Sequence, residues 1–219
     1  MNPLTRRICL TTLLLAALAP LQGCVPVVAV GVGAGAFIAA DRRTSGAYLE
    51  DEAIELKAAN RLRESYGQKV HVNVTSYNRH VLLTGEAPDT ASVADIEKIA
   101  LGVANVRGVA NEVQIAGISS LATRANDTWL TSRVKARFID ANRFPAHVVK
   151  VVTENSTVYL RGIVTRREGD VAAELASTTG GVQKVVRVFE YVSREEAWEL
   201  DRNPQSGPGS QDKPTPDKG

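Results

Sequence analysis

The stretch "VLLTGEA" at residues 81–87 returns as "VYLRGIV" at 158–164, an offset of 77 residues. The match extends in both directions. Upstream, "AIELKAANRL" at 53–62 aligns with "LTSRVKARF" at 130–138 at an offset of 76, so Ile54 meets Leu130, Ala58 meets Val134 and Leu62 meets Phe138. Downstream, "GVANEVQI" at 108–115 pairs with "GVQKVVRV" at 181–188 at an offset of 73, which predicts a second copy about one helical turn shorter before its last strand. Two copies are fewer than a stacked repeat array needs, so each is expected to be a small domain with its own core.

Each copy reads helix, strand, strand, helix, strand. In the first, Ile54, Ala58 and Leu62 recur four apart and share one helix face. Val70, Val72 and Val74 alternate, as do Val81 and Leu83 after the turn "SYNR", which predicts an antiparallel hairpin. Thr90 to Ala104 carries helical spacing, and Val109, Val113 and Ile115 close the unit as a strand. In the second copy the predicted strands are Val148 to Val152, Val158 to Val164 and Val185 to Val192, with a helix near Glu168 to Ser177. Gly85 and Gly162 fall inside strands, where glycine marks a bulge or a close backbone approach. The fold class is α+β: two tandem αββαβ units, each a three-stranded sheet with two helices.

This pattern, with V-x-L-x-G in the second strand and G-V ahead of the third, resembles the BON domain in both copies. "NDTWLTSRVKARF" (126–138) and "VVTENSTVYLRGIVTRREGDVAAELAS" (151–177) carry the closest likeness. The chain as a whole resembles the dual-BON outer-membrane lipoproteins, a family linked to division and outer-membrane stress. The resemblance implies binding of anionic phospholipid through the first helix of the second domain, support of outer-membrane integrity, and no catalytic activity. The segment from Ser193 onward, with Trp198, goes beyond the family pattern.

The N-terminus reads as an export signal. Arg6 and Arg7 precede the apolar run Ile8 to Pro20, which at 13 residues is short for a membrane span and typical of a signal peptide. "LQGC" at 21–24 then resembles a lipobox, which implies cleavage before Cys24, acylation of its thiol and a palmitate-bearing anchor. Cys9 would leave with the signal, so the mature chain holds no free thiol and no disulfide. Multiple acyl chains anchor stably. Val25 stands where inner-membrane retention would call for Asp, which implies the outer membrane, facing the periplasm. Gly31, Gly33 and Gly35 lie in a Gly/Ala-rich stretch expected to be a linker rather than a phosphate loop. The expected layout is 1–23 signal peptide, 24–49 lipidated linker, 50–116 and 126–193 BON domains joined by 117–125, and 194–219 a mostly disordered extension.

Removing residues 1–23 takes away two arginines and no acid, so the formal charge falls from +2 to zero. A neutral average argues against nucleic acid as a partner. The copies differ: residues 51–115 carry seven Lys and Arg against nine acids, and residues 126–192 carry ten against seven. The basic copy is the better candidate for an anionic surface.

Its first helix is expected to be capped by Asn126 or Asp127. At about 100° per residue from Trp129, Leu130, Val134 and Phe138 fall near 100°, 140° and 180°, the core stripe. Arg133, Arg137, Ala136 and Ser132 fall near about 40°, 80°, 340° and 300°. Trp129, Arg133, Arg137, Ala136 and Ser132 thus form the candidate phospholipid-binding face, with an indole at headgroup level and guanidinium groups near phosphate. The competing reading has Trp129 packing on the other domain or the linker. Copy one has Ala53 at the aligned position.

His71, His80 and His147 are scattered and differ between copies, and no His–Glu pair has metal-ligand spacing, so neither enzyme, metal nor cofactor is expected. Two functions remain: a lipid-reading module for anionic membrane, and an adaptor whose domain faces hold a protein of the outer-membrane assembly machinery. Beyond the linker no segment is apolar enough to suggest a pore.

Overall fold

Alternating valines and four-residue apolar spacing build ten elements in two matched sets. In the computed structural model, which describes residues 42–203, the first copy comprises α1 (Ser45–Tyr66), β1 (His71–Tyr77), β2 (His80–Ala87), α2 (Thr90–Leu101) and β3 (Gly108–Ile115). The second comprises α3 (Leu121–Ala141), β4 (Lys150–Glu154), β5 (Thr157–Val164), α4 (Arg166–Ser177) and β6 (Lys184–Tyr191). A further helix, α5 (Arg194–Arg202), comes after β6. In each sheet the middle strand, β2 or β5, pairs antiparallel with its hairpin partner and parallel with the last strand. All described residues belong to one compact unit.

The repeat is physical as well as textual. Ile54, Ala58 and Leu62, and their counterparts Leu130, Val134 and Phe138, are all buried. Ile54, Ala58 and Leu62 pack in one core with Val81, Leu83, Ile96 and Ala100, and Val134 and Phe138 in another with Val158, Leu160, Val171 and Ala176. Phe138 meets Phe144 edge-on at 5.1 Å.

Each hairpin closes through a two-residue loop with both residues at positive φ: Asn78 and Arg79 in copy one, Asn155 and Ser156 in copy two. Such loops match strand twist but strain residues other than glycine. A buried aspartate on the first helix compensates in both. Asp51 accepts from the backbone N–H of Asn78 and Arg79, each at 2.7 Å. Asp127 accepts from those of Asn155 and Ser156, each at 2.9 Å.

Gly85 and Gly162 mark where the middle strand passes close beneath backbone. A Cβ at Gly85 would collide with the carbonyl oxygen of His71, and one at Gly162 with that of Val148. Gly85 also has φ +116°.

Several expectations are corrected. Asp127 does not cap the helix: α3 begins at Leu121 with the Ser120 hydroxyl accepting from Thr123 N–H, so part of the expected linker 117–125 is helix. Likewise α1 begins inside the expected linker 24–49, capped by Thr44. Copy two is not a turn shorter. β3 and β6 align as Gly108–Ile115 with Lys184–Tyr191, an offset of 76, and α2 and α4 both have 12 residues. The matched letters misled because Gly181-Val182 sits in the loop before β6, with Gly181 at φ +98°. β4 starts two residues later than expected because Ala146–Val148 forms a 3-10 turn.

The extension from Ser193 is not wholly irregular. α5 carries a Ser193/Glu196 capping box and buries Ala197 and Leu200. The expected signal peptide, Cys24, residues 31–35 and residues 204–219 lie outside the described residues.

Candidate membrane-contact site

The core stripe of α3 fixes what its opposite face presents. With Leu130, Val134 and Phe138 inward, Trp129 is left 53% exposed. Arg133, one turn later, lays its guanidinium 4.5 Å from the indole centroid and donates to the Gly180 carbonyl at 2.9 Å. Arg137 is half-buried and donates to the Thr179 hydroxyl at 3.1 Å. Ser132 and Ala136 are exposed, and the Ser132 hydroxyl bonds back to the Thr128 carbonyl.

The five expected residues therefore share one side of the helix, in two tiers. Trp129, Ser132, Arg133 and Ala136 face out, while Arg137 ties α3 to the end of α4. Arg133 does both: it stacks on the outward-facing ring and bonds to Gly180 just beyond α4. Cation–π stacking at an exposed site is worth about 0.5–1 kcal/mol, enough to bias the indole toward one pose.

Sequence reasoning missed two neighbours. Leu121 and Ile139 are also exposed, and with Ala125, Trp129, Ser132 and Ala136 they make a continuous outer stripe at spacings of three and four. Leu121 was out of view because the helix was expected to start five residues later. The long 21-residue run with a second period opposite the core was the available signal. Among the described residues no helix is long and apolar enough to cross a membrane.

The copies meet along a polar seam. Arg161 on β5, only 2% exposed, donates to the carbonyls of Thr75 and His80, both at 2.6 Å. Burial lowers its pKa to about 10, opposed by Asp51 and Glu55, and it stays charged at neutral pH. One of the ten cations in copy two is thus turned to copy one rather than to any membrane. Asn155 donates to Glu86 at 2.6 Å and Asn73 to Glu154 at 2.7 Å, a reciprocal exchange between the copies. Burial pushes the Glu154 carboxyl up against the opposing bond from Asn73. His71 joins Glu86 and Glu154 here, a grouping of histidine and carboxylates that spacing along the chain does not reveal.

A cleft of about 540 Å³ opens between the edge strands of the two sheets, lined by Gly108–Ala110 of β3, Val188 and Phe189 of β6, Tyr77 and Arg161.

Two αββαβ modules are latched by reciprocal hydrogen bonds, with an exposed Trp–Arg pair on α3 and a second, Trp198 with Arg202, on α5. The family model for the BON domain matches residues 50–117 and 126–193, and the chain belongs to the BON-domain family. It is 38% identical to the outer membrane lipoprotein DolP of Haemophilus influenzae over 82% of this chain and 94% of that protein. That relationship places it among outer-membrane lipoproteins. It is 32% identical to a 21 kDa hemolysin of Actinobacillus pleuropneumoniae, over 69% of this chain and 79% of that protein. It is also 28% identical to the osmotically-inducible protein Y of Escherichia coli, over 69% of this chain and 78% of that one.

Proposed function

We propose that the chain is anchored through acylated Cys24, faces the periplasm and seats the outer face of α3 in anionic phospholipid headgroups, in support of outer-membrane integrity. The role is binding, with no catalytic step. The observation that carries it is Trp129, exposed on the side of α3 opposite the core and stacked on Arg133. Trp and Arg are favoured at the membrane interface, and a helix face of this kind lies in the headgroup plane. α3 carries four Lys and Arg against two acids, and cations near an anionic leaflet contribute about 1 kcal/mol each.

Flotation of a soluble form beginning at residue 42 tests the reading. Binding to vesicles rich in phosphatidylglycerol, weak binding to phosphatidylcholine, and loss on Trp129→Ala support it. Equal indifference to both vesicles overturns it.

The adaptor reading keeps one specific support. The cleft is flanked by β3 and β6, both edge strands, and an extended peptide can pair with such an edge. Failure of lipid binding would shift weight to that surface.

A further inference from the structure

Three ligating side chains from both copies converge in the seam. His71 stands on β1, Glu86 on β2 and Glu154 at the end of β4. His71 Nδ1 lies 3.0 Å from Glu86 Oε2 and 3.9 Å from Glu154 Oε1. One ligand atom from each of the three falls within 4.8 Å of the others. Glu86 and Glu154 are 1% and 4% exposed, so neither is a solvated surface acid.

Each carboxylate is aimed by the opposite copy. Asn155 holds Glu86 Oε1 and Asn73 holds Glu154 Oε2. The hydrogen bonds from Asn73 and Thr84 both fall on Glu154 Oε2, and Oε1 points at the imidazole from beyond hydrogen-bonding distance. Two buried carboxylates and one imidazole thus turn ligand atoms toward a common point.

We propose that His71, Glu86 and Glu154 form a divalent transition-metal site of the zinc class, clamping the two BON domains together. One imidazole nitrogen and two carboxylate oxygens suit zinc, whereas calcium and magnesium favour all-oxygen shells. Ligands about 2.0–2.1 Å from a tetrahedral zinc sit roughly 3.3–3.4 Å apart; the 3.0 and 3.9 Å separations bracket that value, and the three ligand atoms all lie within 4.8 Å of one another. Asn73 and Asn155 supply the outer hydrogen bonds that orient ligating carboxylates. His71, 18% exposed, leaves a route for the ion and a position for water.

The test uses the full chain in detergent, stripped of metal and titrated calorimetrically with Zn²⁺ in excess Ca²⁺ and Mg²⁺. One Zn²⁺ per chain and a raised melting temperature are expected. His71→Asn and Glu154→Gln should each weaken binding at least about tenfold, and Asn155→Ala by a smaller factor. Because a variant can lose its fold, the deciding readout is wild-type imidazole ¹⁵N NMR: Zn²⁺ should shift the His71 ring and leave His80 and His147 in place. An unmoved His71 ring, no saturable binding, or unaltered affinity in folded variants overturns the site.

Discussion

α1 and α3 share an interior and differ in exterior. Both bury three apolar residues four apart, and both use a buried aspartate three residues before the first of them, Asp51 or Asp127, to hold a strained hairpin loop. Apart from that aspartate, α1 carries four acids against three Lys and Arg, and α3 carries one acid against four. Where α3 has Trp129, α1 has half-buried Ala53. α1 does expose Leu49 and Leu56, but its two tyrosines, Tyr48 and Tyr66, are half-buried and the surround is acidic. The repeated half of each helix makes the fold; the diverged half is where the copies can do different work.

The shared interior predicts paired damage. The largest effect is expected for Gly85→Ala and Gly162→Ala, whose Cβ atoms would run into the backbone oxygens of His71 and Val148. Strain of that kind should cost about 3 kcal/mol or more in each copy, read as a drop in the urea midpoint. One tolerant glycine would show that the copies are not equivalent there. The aspartates rank second. Asp51→Ala also removes the acceptor of the Ser76 hydroxyl and an ion pair of Arg43, and should cost about 3 kcal/mol. Asp127→Ala loses the two loop contacts and should cost about 2 kcal/mol. An Asp127→Ala cost equal to that of Asp51→Ala would break the ranking.

Most of this interior was legible in the sequence, because period-two and period-four patterns report burial directly. The hairpin of copy one was legible from "SYNR", and the candidate face of α3 from the position of Trp129. The aspartate latches were missed although Asp51 and Asp127 share the 76-residue offset, because a polar residue near a helix start reads first as a cap. The seam was illegible for a different reason. Arg161, Asn73 and Asn155 look like solvated strand residues until the other copy is brought against them, and tertiary juxtaposition leaves no periodic trace.

The copies also differ beyond their last strands. Copy two is extended by α5, which buried Arg42 ties to α4: its guanidinium contacts Glu168 at 2.8 Å and Asp201 at 2.7 Å. Burial pushes the Glu168 carboxyl up, but hydrogen bonds from Arg42 and Thr165 N–H outweigh it and hold the pKa below its ordinary 4.5. A carboxylate with a depressed folded pKa contributes stability above the ordinary value and loses it as pH falls through the folded one. Trp198 emission should therefore report release of α5 below about pH 4.5, at a cost of about 1 kcal/mol. Arg42→Met should remove that acid step. An unchanged step in the variant would assign it elsewhere.

The smallest effect on stability, and the sharpest on function, belongs to Trp129. The ring is half exposed, so Trp129→Ala should change the urea midpoint by no more than about 0.5 kcal/mol. Binding to phosphatidylglycerol vesicles should nevertheless fall about tenfold, about 1.4 kcal/mol. Arg133→Gln should cost less, because it removes one cation and the stacking partner but leaves the ring, and its effect should shrink as salt shortens the Debye length from about 10 Å at 0.1 M. The Trp129 loss should persist in salt, since insertion of the indole is mainly apolar. The reciprocal change tests whether the ring is sufficient. Ala53→Trp should give copy one no comparable affinity, because Glu50, Glu52 and Glu64 surround α1 with charge that an anionic surface repels. If Ala53→Trp restores binding to the Trp129→Ala protein, the ring alone decides and the basic flank of α3 is incidental. If Trp129→Ala instead unfolds the domain as Asp127→Ala does, the indole is a packing residue and the outer face of α3 is not the membrane contact.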